Sequence, residues 1–486
     1  MQIKKSLSVL FLVLALGGSP INAQQGKKTS QPSGTRTNEW LQFRGPNGTG
    51  VADGFALPAE FNSTKNLVWK TQVPFARSSP VVTSDRVFMT ASEGAKLITL
   101  ALDRKTGKIL WQRDVERSRH MPIFKANDAA SPTPVSDGKN VYVFFAELGL
   151  ISYAADGKER WRMPLGPFNS FYGMAGSPVL AGNTLVMVCD HRTDSFVLAV
   201  DARDGKQLWK TSRPNFEAYS TPAIYKPRDG PAQVIVLGSQ SVDAYSLDKG
   251  ERLWWVTKIG AYPKGVPLLG TDTVYVLAEG GDQSFLPPFE DALKKYDTDK
   301  DQRIHSEEFK VEKEFYEHFG WLDPNNDKYI DRAEYDFVRN STTLGHGLTA
   351  VRLPGQGDLT SSNVVWRVQK GYPSIPAPLI YQGVMYLMKE GGIVSSLDPA
   401  SGQVLKQGRT PDALEEYYAS PVAADGKVFV VSASGKVTVL KAGQQWEVLA
   451  MNDLDEEVWA TPAIAGGNLY IRTRNALYSF GATAKH

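Results

Sequence analysis

One pattern recurs through this chain at intervals of roughly 40 to 50 residues. Each copy opens with a Ser-Pro or Thr-Pro step, continues through two apolar stretches, and ends in a turn followed by Trp. A strand-rich repeat of this length is typical of propeller blades. The repeat predicts an all-β fold, an eight-bladed β-propeller with four-stranded blades. The first copy contains Ser79, Pro80, Asp103, Gly107, Lys108 and Trp111, and the eight opening prolines are Pro80, Pro132, Pro178, Pro222, Pro267, Pro378, Pro421 and Pro462.

The two ends of the repeat region predict how the ring closes. The last copy stops one strand short, and the missing strand resembles Leu67-Val68-Trp69-Lys70, which precedes the first complete copy. A ring has no open edge when its first and last strands share a blade. We therefore expect the N-terminal strand to complete the last blade, with the propeller spanning residues 67–281 and 346–482.

The closing turn of each copy has a physical explanation. An Asp side chain can accept hydrogen bonds from the backbone that follows it, and Gly can adopt a positive φ. A Trp placed after this turn can pack between neighbouring blades and donate its indole N–H to a turn carbonyl. The pattern thus predicts Trp-mediated contacts between neighbouring blades.

The N-terminus predicts export from the cytoplasm. Lys4 and Lys5 precede an apolar run at residues 7–16, and a small-residue cleavage pattern ends at Ala23. Residues 1–23 therefore read as a signal peptide too short to anchor the chain in a membrane, followed by a lead-in segment over residues 24–66. Its removal takes the net charge from +2 to neutral, which argues against nucleic acid as a partner. We expect a periplasmic or secreted protein.

Two acidic loops interrupt the β pattern within residues 282–345, inside the fifth blade. Both resemble EF-hand calcium loops, with oxygen ligands at positions one, three and five, a backbone carbonyl at seven and Glu at twelve. Gln302 and Lys328 replace the glycine expected at position six and must adopt positive φ. The predicted ligands are Asp297, Asp299, Asp301, the Arg303 carbonyl and Glu308 in the first loop, and Asp323, Asn325, Asp327, the Tyr329 carbonyl and Glu334 in the second.

The position of this insert has a consequence for function. It replaces the connection between the second and third strands of blade five, which lies on the same face as the connections between blades. We expect Phe315 and Phe319 on the inner face of a helix shared by the two loops, and the insert at the rim of the central funnel, as a lid or a docking surface. An acidic helical insert without metal is the alternative.

Aromatic residues before the opening strands predict what lines the funnel. The candidates for binding a protein or small-molecule ligand there are Trp459, Tyr418, Tyr372 and Tyr219, and the acids that end second strands are Glu93, Glu147, Asp190, Glu279 and Glu390. An aromatic mouth edged with acids suits such a ligand. The alternative is that the aromatics cap blade cores and the acids accept hydrogen bonds from turn amides.

The repeat resembles the pyrroloquinoline quinone (PQQ)-like repeat, in which tryptophans dock adjacent blades. The resemblance covers residues 67–480 outside the insert, and residues 40–46 resemble the start of secreted bacterial members. It implies either a PQQ-dependent alcohol or sugar dehydrogenase or a non-catalytic scaffold that binds proteins. Because Cys189 is the single cysteine, the vicinal cysteine pair of many such dehydrogenases cannot form. We expect a calcium-binding scaffold without catalytic residues, with PQQ as a possible but less favoured cofactor.

Overall fold

The computed structural model describes residues 38–482, except 118, 122, 125, 282, 285, 312–318 and 344. The expected signal peptide, residues 1–23, therefore lies outside the described residues, as do residues 24–37 of the lead-in segment. Within the described part of the chain, every helix is too short or too polar to cross a membrane.

Eight four-stranded antiparallel sheets follow one another along the chain, which confirms the predicted eight-bladed propeller. A short parallel strand, Gly357–Asp358, extends the outer edge of blade four. The strands of blades one to four are Val81–Val82, Arg86–Glu93, Lys96–Asp103 and Ile109–Glu116; Val135–Ser136, Val141–Phe145, Gly149–Tyr153 and Glu159–Pro164; Val179–Ala181, Thr184–Cys189, Phe196–Asp201 and Gln207–Ser212; and Ala223–Tyr225, Gln233–Leu237, Ser241–Ser246 and Arg252–Thr257.

The remaining four blades repeat the same plan, and the last one contains strands from both ends of the ring. Leu67–Gln72 pairs with Ala476–Gly481, placing Trp69 opposite Ser479, so the predicted closure is confirmed. The strands of blades five to eight are Leu268–Leu269, Thr273–Ala278, Gly347–Arg352 and Val364–Val368; Leu379–Tyr381, Val384–Lys389, Ile393–Leu397 and Val404–Arg409; Val422–Ala424, Lys427–Val431, Lys436–Lys441 and Glu447–Asp453; and Ala463–Ala465, Asn468–Arg472, Ala476–Gly481 and Leu67–Gln72.

The core lies between adjacent sheets because middle strands are covered on both faces. All six residues of Phe196–Asp201 are buried, whereas only Trp209 is buried in the outer strand Gln207–Ser212. The middle strands are accordingly continuous apolar runs rich in β-branched residues, while the outer strands alternate with polar residues. This difference explains why the Trp of the outer strand carries so much of the contact between blades.

Five of these tryptophans dock one blade onto the next, as the repeat predicts. Trp111 donates its indole N–H to the Ala155 carbonyl in the turn of blade two, at 2.8 Å. Trp69, Trp161, Trp209 and Trp366 donate to the carbonyls of Arg104, Ala202, Leu247 and Pro399, at 2.9, 3.0, 3.0 and 3.1 Å. Trp254 departs from the pattern, because its N–H meets the Gln233 side chain of its own blade instead.

The residues before the opening prolines form a second link between blades, here called the hydroxyl belt. The backbone N–H of one such residue donates to the side-chain hydroxyl of its counterpart in the next blade. The belt bonds run from Ser79 to Thr133 at 3.0 Å, Thr133 to Ser177 at 2.9 Å, Ser177 to Thr221 at 2.9 Å, Ala377 to Ser420 at 3.0 Å and Ser420 to Thr461 at 3.0 Å.

The belt corrects one detail of the sequence analysis. Blade two opens at Thr133 and Pro134, two residues after the expected Pro132, since its first strand starts at Val135 and Thr133 occupies the belt position. Two Xaa-Pro steps follow one another there, and the sequence alone does not distinguish them. The belt hydroxyls account for the preference for Ser and Thr before the opening proline.

Residues 38–53 cross the lower end of the central channel and touch several blades. Trp40 pairs with Val82 of blade one, and Asn47 exchanges two hydrogen bonds with the backbone of Ile224 in blade four. Arg44, fully buried, donates to the carbonyls of Ala377 and Pro378, at 3.2 and 2.8 Å. The lead-in segment thus links blades one, four and six across the ring, a role that the sequence did not indicate.

Residues 279–346 connect the second and third strands of blade five and carry the two acidic loops. The described helices are α1 (Phe289–Tyr296), α2 (Phe319–Leu322) and α3 (Arg332–Ser341), with a 3-10 turn at Glu308–Val311. Phe319 is buried in a small hydrophobic core within the insert, which also includes Phe309 and Tyr335. The other predicted helix residue, Phe315, lies outside the described residues.

Candidate calcium loops and central funnel

The first acidic loop wraps its side-chain oxygens inward. Asp297 accepts backbone N–H bonds from Asp301 and Gln302, at 3.1 and 3.0 Å, and Asp299 accepts a second bond from Asp301 at 3.1 Å. Ligand oxygens of Asp297, Asp299 and Glu308 all lie within 4.8 Å of one another. The loop therefore gathers the carboxylates of positions one, three and twelve around one point.

The second loop repeats these bonds at equivalent positions. Asp323 accepts from the backbone N–H groups of Asp327 and Lys328, at 3.1 and 3.0 Å, and Asn325 accepts from Asp327 at 2.8 Å. At position twelve, Glu334 accepts from the Asp331 N–H at 3.0 Å, as Glu308 accepts from His305 at 2.8 Å. Burial raises the pKa of Glu334 to about 7, and the neighbouring Asp residues act in the same direction.

The backbone at position six follows what the sequence required. Gln302 and Lys328 adopt φ values of 66° and 72° without being glycine. The two loops also pair as a short antiparallel sheet, with Ile304 opposite Ile330. Inward oxygens at this spacing suit a large, hard cation that takes six to eight oxygen ligands, so the residues present fit calcium.

The insert rests on blades three and four, at the rim of the central funnel. The Phe337 ring of α3 stacks on Phe216, with ring centres 4.0 Å apart, and its carbonyl accepts from the Gln240 side chain at 2.8 Å. Beside the second loop, Asn169 donates to the Pro324 carbonyl at 2.5 Å, and Arg192 donates to Gly320 at 2.5 Å. These contacts hold α3 and the second loop against the propeller.

An open groove of about 1290 Å³ lies between the insert and blade three. Trp321 and Phe171 meet edge to face on its wall, with ring centres 6.0 Å apart. Lys210 lines the groove as well, with its ammonium 3.8 Å from the centre of the Phe196 ring. The sequence does not indicate this groove, because its walls come from chain segments more than one hundred residues apart.

The central funnel contains a cavity of about 450 Å³ on the same face as the insert. Tyr418 and Trp459 stack with ring centres 4.0 Å apart, and the Arg77 guanidinium lies 4.2 Å from the Trp459 ring. Tyr219 lines the cavity as well, and Phe43 of the lead-in segment reaches it from below. Three of the four aromatic candidates from the sequence therefore share one cavity.

Tyr372, the fourth candidate, lies outside this cavity. It lines an adjacent groove with Ser374 and Glu390, and its ring centre is 6.1 Å from that of His346. The position before an opening strand predicts the correct face of the propeller but not how far a side chain points toward the axis.

The acids that end second strands are engaged mainly in ion pairs. Arg117 binds Glu147 through two bonds of 2.6 and 2.7 Å, and the fully buried Arg213 binds Asp190 in the same way. Of these acids, Glu279 alone lines the cavity described above, where Lys264 pairs with it at 2.6 Å. Glu147 and Asp190 thus serve the blades rather than a ligand.

Cys189 is buried and free at the end of a middle strand of blade three, and burial raises the pKa of its thiol. A reactive cysteine needs exposure and a lowered pKa. Cys189 has neither, because it lies in the packed core.

Solved structures with the same architecture come from proteins of different function. BamB from Moraxella catarrhalis superposes with a TM-score of 0.52 at 13% identity, over 86% of this chain and 99% of that one. A europium-containing methanol dehydrogenase gives 0.54 at 11%, over 91% and 98%. The quinohemoprotein alcohol dehydrogenase from Comamonas testosteroni gives 0.55 at 13%, over 93% and 82%. At such identities the likeness shows the fold alone.

Sequence comparison is more specific than these superpositions. No curated protein matches the chain. The profile of the PQQ-like repeat family described as outer membrane protein assembly factor BamB matches residues 47–254 and 346–485, and the acidic insert lies between the two matched regions. Because this match covers well over half of its residues, the chain belongs to the family described as outer membrane protein assembly factor BamB.

Proposed function

We propose that this protein is an extracytoplasmic calcium-binding propeller that acts as a binding module for a protein or small-molecule ligand. The observation that carries the proposal is the pair of acidic loops, in which equivalent side chains accept equivalent backbone bonds. Such a loop preorganises its oxygens, so that binding a cation does not require the chain to refold.

The place of the insert supports a role for calcium in shaping the binding face. α3 and the second loop contact blades three and four, next to the funnel cavity. Calcium held by Asp323, Asn325, Asp327, the Tyr329 carbonyl and Glu334 would stabilise this contact. The family to which this chain belongs, described as outer membrane protein assembly factor BamB, favours a protein-binding propeller in the periplasm.

Calorimetric titration of the protein with calcium tests the proposal. We expect two binding events, with Glu308→Gln removing one and Glu334→Gln removing the other, because each variant loses the position-twelve carboxylate of one loop. Asp291→Asn is the matched control, since Asp291 is an acid on α1 outside both loops. The absence of any binding heat at millimolar calcium would refute the calcium proposal.

PQQ-dependent oxidation of an alcohol or sugar is the second candidate function. The cavity size and the two dehydrogenases of the same fold favour it. Bound PQQ would accept two electrons and protons from the substrate. However, Glu279 is the one carboxylate among the described residues that line the cavity, and Lys264 already pairs with it, so the lining does not supply the cluster of oxygens that a metal beside the cofactor requires.

A titration with PQQ in the presence of calcium, followed by dye reduction with an alcohol panel, distinguishes the two functions. We expect no turnover. Tight binding of PQQ with reduction of the dye would make the protein an oxidoreductase and overturn the first proposal.

A further inference from the structure

The hydroxyl belt gives the funnel cavity an unusual set of hydrogen-bond donors. Thr133, Ser177 and Thr221 are at most 4% exposed, and each lines the cavity. Each oxygen accepts the N–H of the preceding blade, yet no acceptor for the hydroxyl hydrogen is found among the described residues. Since buried polar groups normally find partners, these three hydroxyls are available to donate to a ligand.

Two further donors lie on the cavity wall. The Trp459 Nε1 atom is buried and has no hydrogen-bond partner in the described part of the chain, and an indole N–H can only donate. Thr461 belongs to the belt as well, accepting the Ser420 N–H at 3.0 Å while its own hydrogen faces no described acceptor. These donors come from blades on both sides of the channel.

Among the described residues that line the cavity, Glu279 is the one carboxylate, and it already has partners. Glu279 binds the Lys264 ammonium at 2.6 Å and also accepts from the Ser374 hydroxyl. The rest of the wall is largely apolar or aromatic, with Phe43 closing the lower end and Ile375 among the side walls. The cavity is therefore mostly apolar, with buried hydroxyl and indole donors on its wall and its one described carboxylate already paired.

We propose that this cavity binds a carboxylate carried on an apolar or aromatic stem. A carboxylate offers acceptors only and forms stronger bonds with donors than a neutral group does. A volume of about 450 Å³ suits a small ligand of this kind. The inference rests on the proposed role of the funnel as a binding site and names the chemistry of its ligand, but it does not depend on calcium.

Two sources present this chemistry: a free aromatic acid and the C-terminal residue of a polypeptide. Calorimetry with four probes separates them, namely benzoate, benzamide, the tripeptide Gly-Ala-Phe with a free carboxylate, and the same tripeptide as its carboxamide. We expect at least one acid to bind ten or more times tighter than its amide, because bonds to a charged acceptor exceed those to a neutral one by enough for such a factor.

The pattern of binding decides the source and the inference. Benzoate alone indicates a free acid, and the tripeptide acid alone indicates a chain end. If acids and amides bind with equal affinity, the funnel is still a binding site, but the proposed preference for a carboxylate is wrong. The absence of binding by all four probes at millimolar concentration would overturn the inference, while the calcium titration still reports separately on the metal loops.

Two belt variants provide a matched comparison. Thr221→Val and Ser420→Ala each remove a hydroxyl that accepts a backbone N–H without adding bulk, so both should lower the melting temperature alike. Thr221 lines the cavity, whereas Ser420 does not. We expect Thr221→Val to weaken acid binding about fivefold or more and Ser420→Ala to leave it unchanged, because bonds to charged acceptors contribute this much. Equal affinity in the two variants would show that the Thr221 hydroxyl does not donate to the acid.

Repeating the probe titration on the Glu308→Gln, Glu334→Gln double variant separates the two proposals. If the preference for acid over amide persists without calcium binding, the funnel chemistry is independent of the metal. If the double variant loses both calcium binding and the preference for acid over amide, the two are not independent. The ligand site would then depend on the insert.

Discussion

Arg213 shows how single residues stabilise the upper face of the ring. Its guanidinium is fully buried, with Nε 2.7 Å from Asp190 and Nη1 3.5 Å from Asp243. It also donates to the Tyr245 hydroxyl at 2.8 Å, so the group links blades three and four. Removing one member of such a buried charged group is costly, because the other members are left unpaired in a low-dielectric interior.

Arg213→Met should therefore lower the free energy of unfolding by about 3–5 kcal/mol. The control is Arg474→Met, which removes an arginine paired with Glu457 at the surface, where both side chains are about half exposed. Such exposed pairs contribute about 0–1 kcal/mol. Chemical denaturation of the two variants measures both effects, and comparable losses would contradict the structural role of the buried network.

The sequence predicted the position of Asp190 but not its partner. The end of a second strand fixes the face on which the acid lies, whereas the pairing with Arg213 depends on packing between strands. The two acidic loops behave differently, because their candidate ligands are close in sequence and their spacing alone specifies the arrangement. The sequence therefore predicted the local arrangement of the residues from Asp297 to Glu334, but it did not predict long-range pairings.

At the scale of elements, the turn and the Trp of each blade work as one unit. The glycine of the turn adopts a positive φ and lies directly against the indole of the preceding blade. At Gly250, φ is 72° and a Cβ atom would lie 2.4 Å from the Trp209 ring. The sequence predicted the positive φ, because a Gly follows an Asp in each of these turns, but it did not reveal this close approach between blades.

Gly250→Ala should lower the free energy of unfolding by about 2–4 kcal/mol, the sum of a left-handed backbone penalty and a steric clash. Gly383→Ala is the control, since Gly383 has φ of 77° but nothing lies within 4 Å of an added Cβ. That variant should cost only about 1–2 kcal/mol from the backbone. Thermal or urea denaturation measures the difference, and equal losses would show that the indole contact does not matter.

The insert illustrates which relations between elements the sequence does not contain. Its place between two strands of blade five indicated the correct face, but not that it rests on blades three and four. Phe337 reaches Phe216, and Pro324 reaches Asn169, across 121 and 155 positions of the chain. Such contacts depend on the shapes of both surfaces, and no periodic pattern in the sequence records them.

At the scale of the whole molecule, the ring is closed twice by the N-terminal part of the chain. Leu67–Gln72 completes blade eight, and residues 38–53 cross the channel beneath the cavity. The strand was predictable because it copies the repeat, whereas the crossing segment has no repeat to copy. Its main anchor, Arg44, is buried against backbone carbonyls, and burial lowers the pKa of its guanidinium to about 9.

The packed interior of the ring also predicts how the molecule unfolds in alkali. Burial raises the pKa of Tyr142, Tyr153, Tyr245 and Tyr417 to about 12, whereas an unfolded tyrosine titrates near 10. Between these values the unfolded chain loses protons that the folded chain keeps, so stability falls as pH rises. Each tyrosine should contribute about 1.4 kcal/mol per pH unit to this loss between pH 10 and 12.

Urea denaturation at pH 9, 10, 11 and 12 measures this slope. The variant Tyr153→Phe, which removes one titrating group from the core between blades one and two, should reduce the slope by about 1.4 kcal/mol per pH unit. Below pH 10 the two proteins should show the same pH dependence, since tyrosine is protonated in both states there. An unchanged slope in the variant would mean that Tyr153 ionises in the folded ring as readily as in the unfolded chain, and that other groups drive alkaline unfolding.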